Sequence, residues 1–210
     1  MKKYILFDND GVLVETEMWY FRANVKILKN MGITLDEERY LNIMVNGQSA
    51  FLLAEEAGFD AQSIEDARRH RNELYQHYIT HENITIDGVF EVLEALKKQY
   101  KMGIVTSARR EDFELIHAKS GITKFMEFTL CSGEYARSKP YPDPYLEGMQ
   151  KLGGTKEETI IIEDSERGLC SAVAAGIECA IVHNPFTINH NFSKATHRLQ
   201  TLKELEALLN

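Results

Sequence analysis

The second half of the chain alternates short apolar runs with segments of helical pattern, and this constrains the fold more than any other feature. The helical patterns include Val89–Tyr100, Arg110–Lys119 and Tyr145–Leu152. The apolar runs between and after them are Met102–Val105, Phe128–Cys131, Thr159–Ile162 and Cys179–Val182. Strands that alternate with helices predict an α/β fold with a Rossmann-like parallel sheet and helices on both faces.

A fifth apolar run stands far from the others, at Tyr4–Phe7 near the start of the chain. Residues 15–84 follow it with helical patterns, such as Glu15–Met31, and without a strand pattern. We therefore expect a Rossmann-like core formed by residues 1–14 and 85–210, interrupted by an all-helical insertion at 15–84.

The prolines are concentrated in one place. Pro140, Pro142 and Pro144 fall within five residues, and no proline precedes them. Because proline fixes its own φ and restricts the residue before it, this pattern predicts an extended, rigid loop.

Composition and charge exclude several classes of protein. The chain has 32 acidic and 24 basic residues, a formal net charge of −8. This balance argues against a nucleic-acid binder or a protein held on an anionic membrane by positive charge. The sequence implies no protein partner. Three scattered cysteines and an apolar run too short for a signal peptide predict a cytoplasmic protein.

Polar and charged residues follow the predicted strands, at the sheet edge where ligands of parallel α/β proteins bind. They are Asp8, Asp10, Thr106, Ser107, Lys139, Glu163 and Asp164. Several carboxylates in one cleft repel each other unless a cation lies between them, and oxygen ligands of this kind suit Mg²⁺. A metal, a lysine and hydroxyl groups together can handle a phosphoryl group, and a carboxylate there can attack phosphorus.

These motifs resemble those of the haloacid dehalogenase superfamily. Residues 7–13 read Phe-Asp-Asn-Asp-Gly-Val-Leu and are similar to its D-x-D-G-[TV]-L signature. Thr106, Lys139 and the Glu163-Asp164 pair match its second, third and fourth motifs in order. The resemblance spans residues 7–176 and thus covers most of the chain.

The resemblance implies a role for each matching position. Asp8 would be the nucleophile and a Mg²⁺ ligand, and Asp10 the acid/base with its backbone carbonyl on the metal. Thr106 and the Ser107 amide would hold the phosphate, while Lys139 would neutralise Asp8 and the transferred oxygens. Asp164 would bind Mg²⁺ directly, and Glu163 directly or through water. The insertion at 15–84 resembles the helical cap that selects the substrate.

Within the superfamily, the sequence is most similar to the β-phosphoglucomutase group and its sugar-phosphate phosphatases. The mutase has a cap histidine where this chain has Tyr20, and a basic residue where it has Ala50. We therefore expect a Mg²⁺-dependent phosphatase of a small phosphorylated metabolite, with a phosphosugar mutase as the alternative. Tyr20 and Arg71 are candidate substrate contacts in the insertion.

Two other interpretations stay open from the residues. An isolated Asp-x-Asp after a strand can be a turn whose acids cap the next helix. A phosphatase scaffold can also serve a binding or regulatory protein, since fold does not dictate function. Loss of Asp8, Lys139 or Asp164 would indicate that use, and all three are present.

Overall fold

The structure, a computed structural model, describes residues 1–209. The chain divides into two compact units. The core unit comprises Met1–Glu15 and the chain from Ile84 onward, and the helical unit comprises Thr16–Asn83. None of the helices among the described residues combines the length and the apolar character needed to cross a membrane.

A six-stranded parallel sheet forms the centre of the core unit in the described residues, with the order β3-β2-β1-β4-β5-β6. The strands are β1 Tyr4–Phe7, β2 Lys101–Val105, β3 Phe128–Leu130, β4 Thr159–Glu163, β5 Glu178–Val182 and β6 His197–Leu199. After β1 the chain adds β2 and then β3 on one side of it, and then returns to add β4, β5 and β6 on the other side. The carboxyl ends of β1 and β4 thus form the switch point at which such sheets bind ligands.

The apolar runs form strands because both sides of the sheet are buried. Leu6 packs in one core cluster with Val105 and Ile161. Ile5 and Phe7 alternate with Leu6, so their side chains point to the opposite side, and all three have no exposed surface. The predicted α/β Rossmann-like class is therefore confirmed.

Four helices form the helical unit, in which the structure describes every residue. They are α1 Glu17–Asn30, α2 Glu37–Val45, α3 Leu52–Glu56 and α4 Ala61–His81. Asp36 and Asp60 start α2 and α4 by accepting hydrogen bonds from backbone amides three residues ahead. The helices enclose a separate apolar cluster around Leu28, Tyr40 and Phe51.

The helices of the core unit follow its strands. They are α5 Val89–Leu96, α6 Arg110–His117, α7 Asp143–Leu152, α8 Glu166–Ala175 and α9 Leu205–Leu209. Short 3₁₀ turns lie at Thr123–Phe125, Pro185–Thr187 and Leu202–Glu204.

The structure of this unit departs from the expected loop at one place and adds one strand. The proline segment is not an extended loop throughout, because α7 begins at Asp143 and Pro144 lies in its first turn. Proline fits there since the amide of that position has no helical acceptor. The sixth strand, His197–Leu199, was not predicted because its three residues form no apolar run.

Candidate active site

Three strand ends bring the predicted residues together. Phe7 of β1 pairs with Ile104 of β2 on one side and with Ile162 of β4 on the other. The residues that follow these positions therefore leave the sheet at the same edge. They include Asp8, Asp10, Thr106, Glu163 and Asp164.

Lys139 connects two acids of the site through hydrogen bonds. Its Nζ atom donates hydrogen bonds to Oδ1 of Asp8 at 2.7 Å, to Oε1 of Glu163 at 2.7 Å and to the Val105 carbonyl at 3.1 Å. Its side chain is only 3% exposed. Burial opposes the charged form, but the two carboxylates outweigh it and raise the pKa of Lys139 above its usual range. The ammonium is therefore fixed in its charged state.

At Asp8, in contrast to Lys139, the effect of burial on the pKa outweighs the effect of the opposite charge beside it. Burial, which is the largest effect, and the negative charges of Glu163 and Asp10 together raise the pKa of its carboxyl to about 7, although Lys139 acts to lower it. A bound divalent cation acts in the same direction as Lys139, because positive charge favours the ionised carboxylate. Asp8 is thus a carboxyl whose ionisation depends on its cationic neighbours.

Glu163 is fully buried and receives hydrogen bonds on both oxygens. Oε1 accepts from Lys139 and, at 2.6 Å, from the hydroxyl of Tyr145. Oε2 accepts from the Asp164 and Ser165 amides and from the Ser165 hydroxyl at 3.0–3.2 Å. Burial disfavours its charge, but Lys139 and these hydrogen bonds outweigh that effect and lower its pKa.

A metal-compatible group of carboxylates lies at this edge. Oxygen atoms of Asp8, Glu163 and Asp164 fall within 4.8 Å of one another, and all three residues are buried. With Lys139 included, three carboxylates and one ammonium carry a formal charge of −2 when all are ionised. Clustered hard oxygens with excess negative charge fit a divalent cation of the Mg²⁺ type. The side chain of Asp10 is not part of this group.

Backbone geometry at Gly11 brings the first loop against Asp164. Gly11 has φ of +78°, and a Cβ atom there would lie 2.1 Å from Oδ2 of Asp164 and 2.3 Å from Nδ2 of Asn184. Asn184 itself donates to Oδ2 of Asp164 at 2.8 Å. Only glycine permits this approach, which fixes the orientation of Asp164.

The second motif lies beside the first. Thr106 is buried, and its hydroxyl donates to Oδ2 of Asp10 at 3.3 Å while accepting from the Ala108 amide at 3.0 Å. The Thr106 carbonyl accepts a hydrogen bond from Tyr135 at 2.9 Å. The Thr106 amide still donates to the Leu130 carbonyl of β3 at 2.9 Å. Ser107 follows with a partly exposed side chain and begins the loop that leads into α6.

Three residues that support the site were not found from the sequence: Tyr135, Tyr145 and Asn184. Asn184 follows β5 and could have been identified by the same strand-end argument as the other residues. Tyr135 lies in a loop and Tyr145 in α7, and neither position carries a local signal for its contact.

The two candidate residues of the insertion meet within the helical unit. Arg71 is 8% exposed, and its guanidinium lies 4.4 Å from the ring centre of Tyr20 and 5.5 Å from that of Phe51. It donates to Oδ1 of Asn24 at 2.8 Å and to Oδ1 of Asn72 at 2.9 Å. No carboxylate among the described residues forms an ion pair with Arg71.

Comparison with known proteins adds to this geometry. The family model for haloacid dehalogenase-like hydrolases matches residues 5–182. The phosphorylated carbohydrates phosphatase of Thermotoga maritima is 29% identical over 185 residues, which cover 86% of this chain and 85% of that protein.

Two crystal structures share the fold along almost their full length. CbbY of Rhodobacter sphaeroides, solved with phosphate, has a TM-score of 0.82 and 23% identity, covering 98% of this chain and 96% of that one. β-Phosphoglucomutase of Clostridium difficile has a TM-score of 0.80 and 22% identity, covering 100% and 96%. At this level of identity the two likenesses show the fold alone.

Proposed function

The chain belongs to the haloacid dehalogenase-like hydrolases and is a phosphoric monoester hydrolase, and from this premise we propose its reaction. It is a Mg²⁺-dependent phosphatase that hydrolyses a small phosphorylated metabolite, a sugar phosphate, through an aspartyl-phosphate on Asp8. The observation that carries this proposal is the placement of Lys139 between Asp8 and Glu163, with a carboxylate oxygen of Asp164 within 4.8 Å of oxygens of both acids.

Asp8 is the nucleophile in this reaction. One of its carboxylate oxygens forms a bond to phosphorus as the bond between phosphorus and the ester oxygen of the substrate breaks. Asp10 donates its proton to that leaving oxygen. Lys139 balances the negative charge of Asp8 and of the transferred oxygens, which lowers the energy of a transition state rich in negative charge.

Hydrolysis of the intermediate reverses the role of Asp10. Its carboxylate takes a proton from a water molecule whose oxygen attacks phosphorus, and the bond between phosphorus and Asp8 breaks. Inorganic phosphate leaves, and Asp8 is regenerated as a carboxylate. Thr106 and the Ser107 amide hold the phosphoryl oxygens during both steps, since they follow β2 beside Asp8.

Mg²⁺ would be held by Asp8, Asp164 and the Asp10 carbonyl, with Glu163 reaching it through water. Glu163 takes the more distant position because its oxygens already accept several hydrogen bonds. The ion would supply positive charge to the transferred oxygens and to ionised Asp8.

The proposed substrate class rests on the relative and on the helical unit. The relative of Thermotoga maritima described above is named for phosphorylated carbohydrates. Arg71 supplies a mostly buried cation held by neutral partners, Asn24 and Asn72, beside the ring of Tyr20. We propose that this unit is the cap of the enzyme and that Arg71 and Tyr20 contact the polar end of the substrate.

Phosphosugar mutase is the alternative, and two positions favour hydrolysis over it. A mutase must keep its phosphoenzyme from water and bind a bisphosphate. Tyr20 and Ala50 occupy the positions where the mutase has a histidine and a basic residue. Incubation with a hexose 1-phosphate and a trace of its bisphosphate separates the two activities. Isomerisation faster than phosphate release would show the mutase.

The first test is phosphate release from an aryl phosphate in the presence of Mg²⁺. We expect activity in the wild type, none in Asp8→Asn, and unchanged activity in Asp66→Asn, a partly exposed control on α4. Acid quenching during turnover should trap a phosphoenzyme that hydroxylamine cleaves, as expected for an acyl phosphate. Full activity of Asp8→Asn would refute the assignment of the nucleophile, and inactive wild type on all phosphate esters would refute the proposed function.

A further inference from the structure

A buried asparagine separates the two aspartates of the first motif. Asn9 has no exposed surface, and its side-chain Oδ1 lies 2.7 Å from Nε2 of His117. Its backbone carbonyl accepts hydrogen bonds from the amides of Leu13 and Val14 at 2.8 and 3.2 Å. Asn9 is therefore held at both its backbone and its side chain, and Asp8 and Asp10 are attached directly to it.

The two hydrogen-bond partners of His117 determine which of its ring nitrogens carries the proton. Oδ1 of Asn9 only accepts, so Nε2 of His117 carries the proton and donates it. Nδ1 then accepts from the Ser120 hydroxyl at 2.8 Å, and that oxygen in turn accepts from the Ile122 amide at 3.1 Å. Burial lowers the pKa of His117 to about 4, so the ring is neutral near pH 7, as this arrangement requires.

His117 joins two parts of the site. It lies in the last turn of α6, and α6 is the helix that follows Thr106 and Ser107. Its bond to Asn9 therefore ties the element behind the phosphate-holding loop to the loop that carries Asp8 and Asp10, 108 residues earlier in the chain.

Stability alone does not account for this pair. Nδ2 of Asn9 is buried and has no hydrogen-bond partner among the described residues. A buried donor without an acceptor lowers stability by about 1–3 kcal/mol, a cost that an apolar side chain at position 9 would avoid. What the amide provides instead is a directional contact with His117.

We propose that His117 is a positioning residue that sets, through Asn9, the spacing of Asp8 and Asp10. This inference rests on the proposed function, in which Asp8 attacks phosphorus and Asp10 transfers protons to and from oxygens bonded to it. It also concerns Mg²⁺, because Asp8 and the Asp10 carbonyl are its proposed ligands on either side of Asn9.

The test compares His117→Gln with His117→Leu. The amide nitrogen of glutamine can take the place of Nε2 and donate to Asn9, whereas leucine cannot. We expect kcat to fall about tenfold or more in His117→Leu with KM little changed, and the Mg²⁺ Kd measured by calorimetry to rise about tenfold. His117→Gln should restore most of both. Phe125→Leu, a buried substitution in the 3₁₀ turn at Thr123–Phe125, controls for loss of stability alone.

Coupling to Asn9 is measured with Asn9→Leu and the double variant. Both single changes remove the same hydrogen bond. The loss of kcat in the double variant should therefore be no larger than the loss in the more impaired of the two single variants. Unchanged kcat and Mg²⁺ Kd in folded His117→Leu, or a glutamine variant as impaired as the leucine variant, would overturn the proposal. Should the wild type lack phosphatase activity, the proposed function fails, and Mg²⁺ binding still decides the role of His117.

Discussion

The hydroxyl of Tyr145 donates a hydrogen bond to Oε1 of Glu163, and the two oxygens are 2.6 Å apart. The ring of Tyr145 also lies beneath Lys139, whose Nζ is 4.8 Å from the ring centre. Tyr145 and Glu163 are fully buried. Tyr145 thus holds Glu163 in place, and Glu163 in turn holds Lys139. The proposed mechanism gives Tyr145 no contact with the substrate.

Tyr145→Phe removes that hydrogen bond and keeps the ring. A hydrogen bond to a charged group contributes about 1.5–3 kcal/mol, so we expect the free energy of unfolding to fall by this amount. Lys139 still binds Glu163, so kcat should fall about tenfold at most. Urea unfolding and steady-state kinetics measure the two effects. Unchanged stability would contradict the inferred strength of this contact.

Lys139→Met should be far more severe. It leaves Asp8 and Glu163 buried without their cation, and breaking a buried ion pair in this way destabilises a protein by about 3–5 kcal/mol. Phosphatase activity should disappear even in the folded fraction. Lys98→Met removes an exposed lysine of the same unit and serves as the control. Residual activity near the wild-type level would show that Lys139 acts only structurally.

How far the sequence could predict this site depends on the kind of contact. The apolar runs mark where strands end, so Asp8, Thr106 and Glu163 could be placed at one edge before the structure was known. The hydrogen bond of Tyr145 to Glu163 depends on how α7 is rotated about its axis. The spacing of apolar residues in the sequence indicates the buried face of a helix but does not fix this rotation precisely enough to predict one contact. The contact of His117 with Asn9 spans 108 residues and has no local signal.

Gly11→Ala should disturb Asp164. Both Gly11 and Gly153 have positive φ, so alanine at either position is strained by about 1–2 kcal/mol. Only at Gly11 would the new methyl group lie 2.1 Å from Oδ2 of Asp164, whereas nothing lies within 4 Å at Gly153. We expect Gly11→Ala to weaken Mg²⁺ binding at least tenfold. Gly153→Ala should lose stability only, and equal effects on Mg²⁺ binding would contradict the close approach.

His117 should make stability depend on pH below neutrality. Its pKa is lowered from 6.5 to about 4 by burial, so between these values the unfolded chain binds a proton that the folded chain does not. The free energy of unfolding should therefore fall as pH drops from 6.5 to 4, by about 3 kcal/mol from this residue. Above pH 6.5 the contribution is constant.

Urea unfolding at several pH values measures this effect in the wild type and in His117→Gln. The glutamine variant has no titrating group at this position, so its stability should decline less steeply between pH 6.5 and 4. His70→Gln, an exposed histidine of α4, should follow the wild type. Parallel curves for His117→Gln and the wild type would show that His117 is not buried in its neutral form.

Removal of the proposed Mg²⁺ should abolish activity and reduce stability. A chelator should stop phosphate release, and Mg²⁺ should restore it, because the carboxylates of Asp8 and Asp164 need a cation between them and the transferred oxygens. Since Mg²⁺ would bind the folded chain only, a concentration 100 times its Kd should stabilise the protein by about 2.7 kcal/mol.

Asp164→Asn distinguishes this site from nonspecific binding of the ion. The variant should lose the increase in Tm on addition of Mg²⁺, while Asp87→Asn, an exposed acid of the same unit, should retain it. Ca²⁺ should stabilise the wild type without supporting turnover, because it takes longer bonds and more ligands than the compact geometry of Mg²⁺. An Asp164→Asn variant with an unchanged Tm response would place the ion elsewhere.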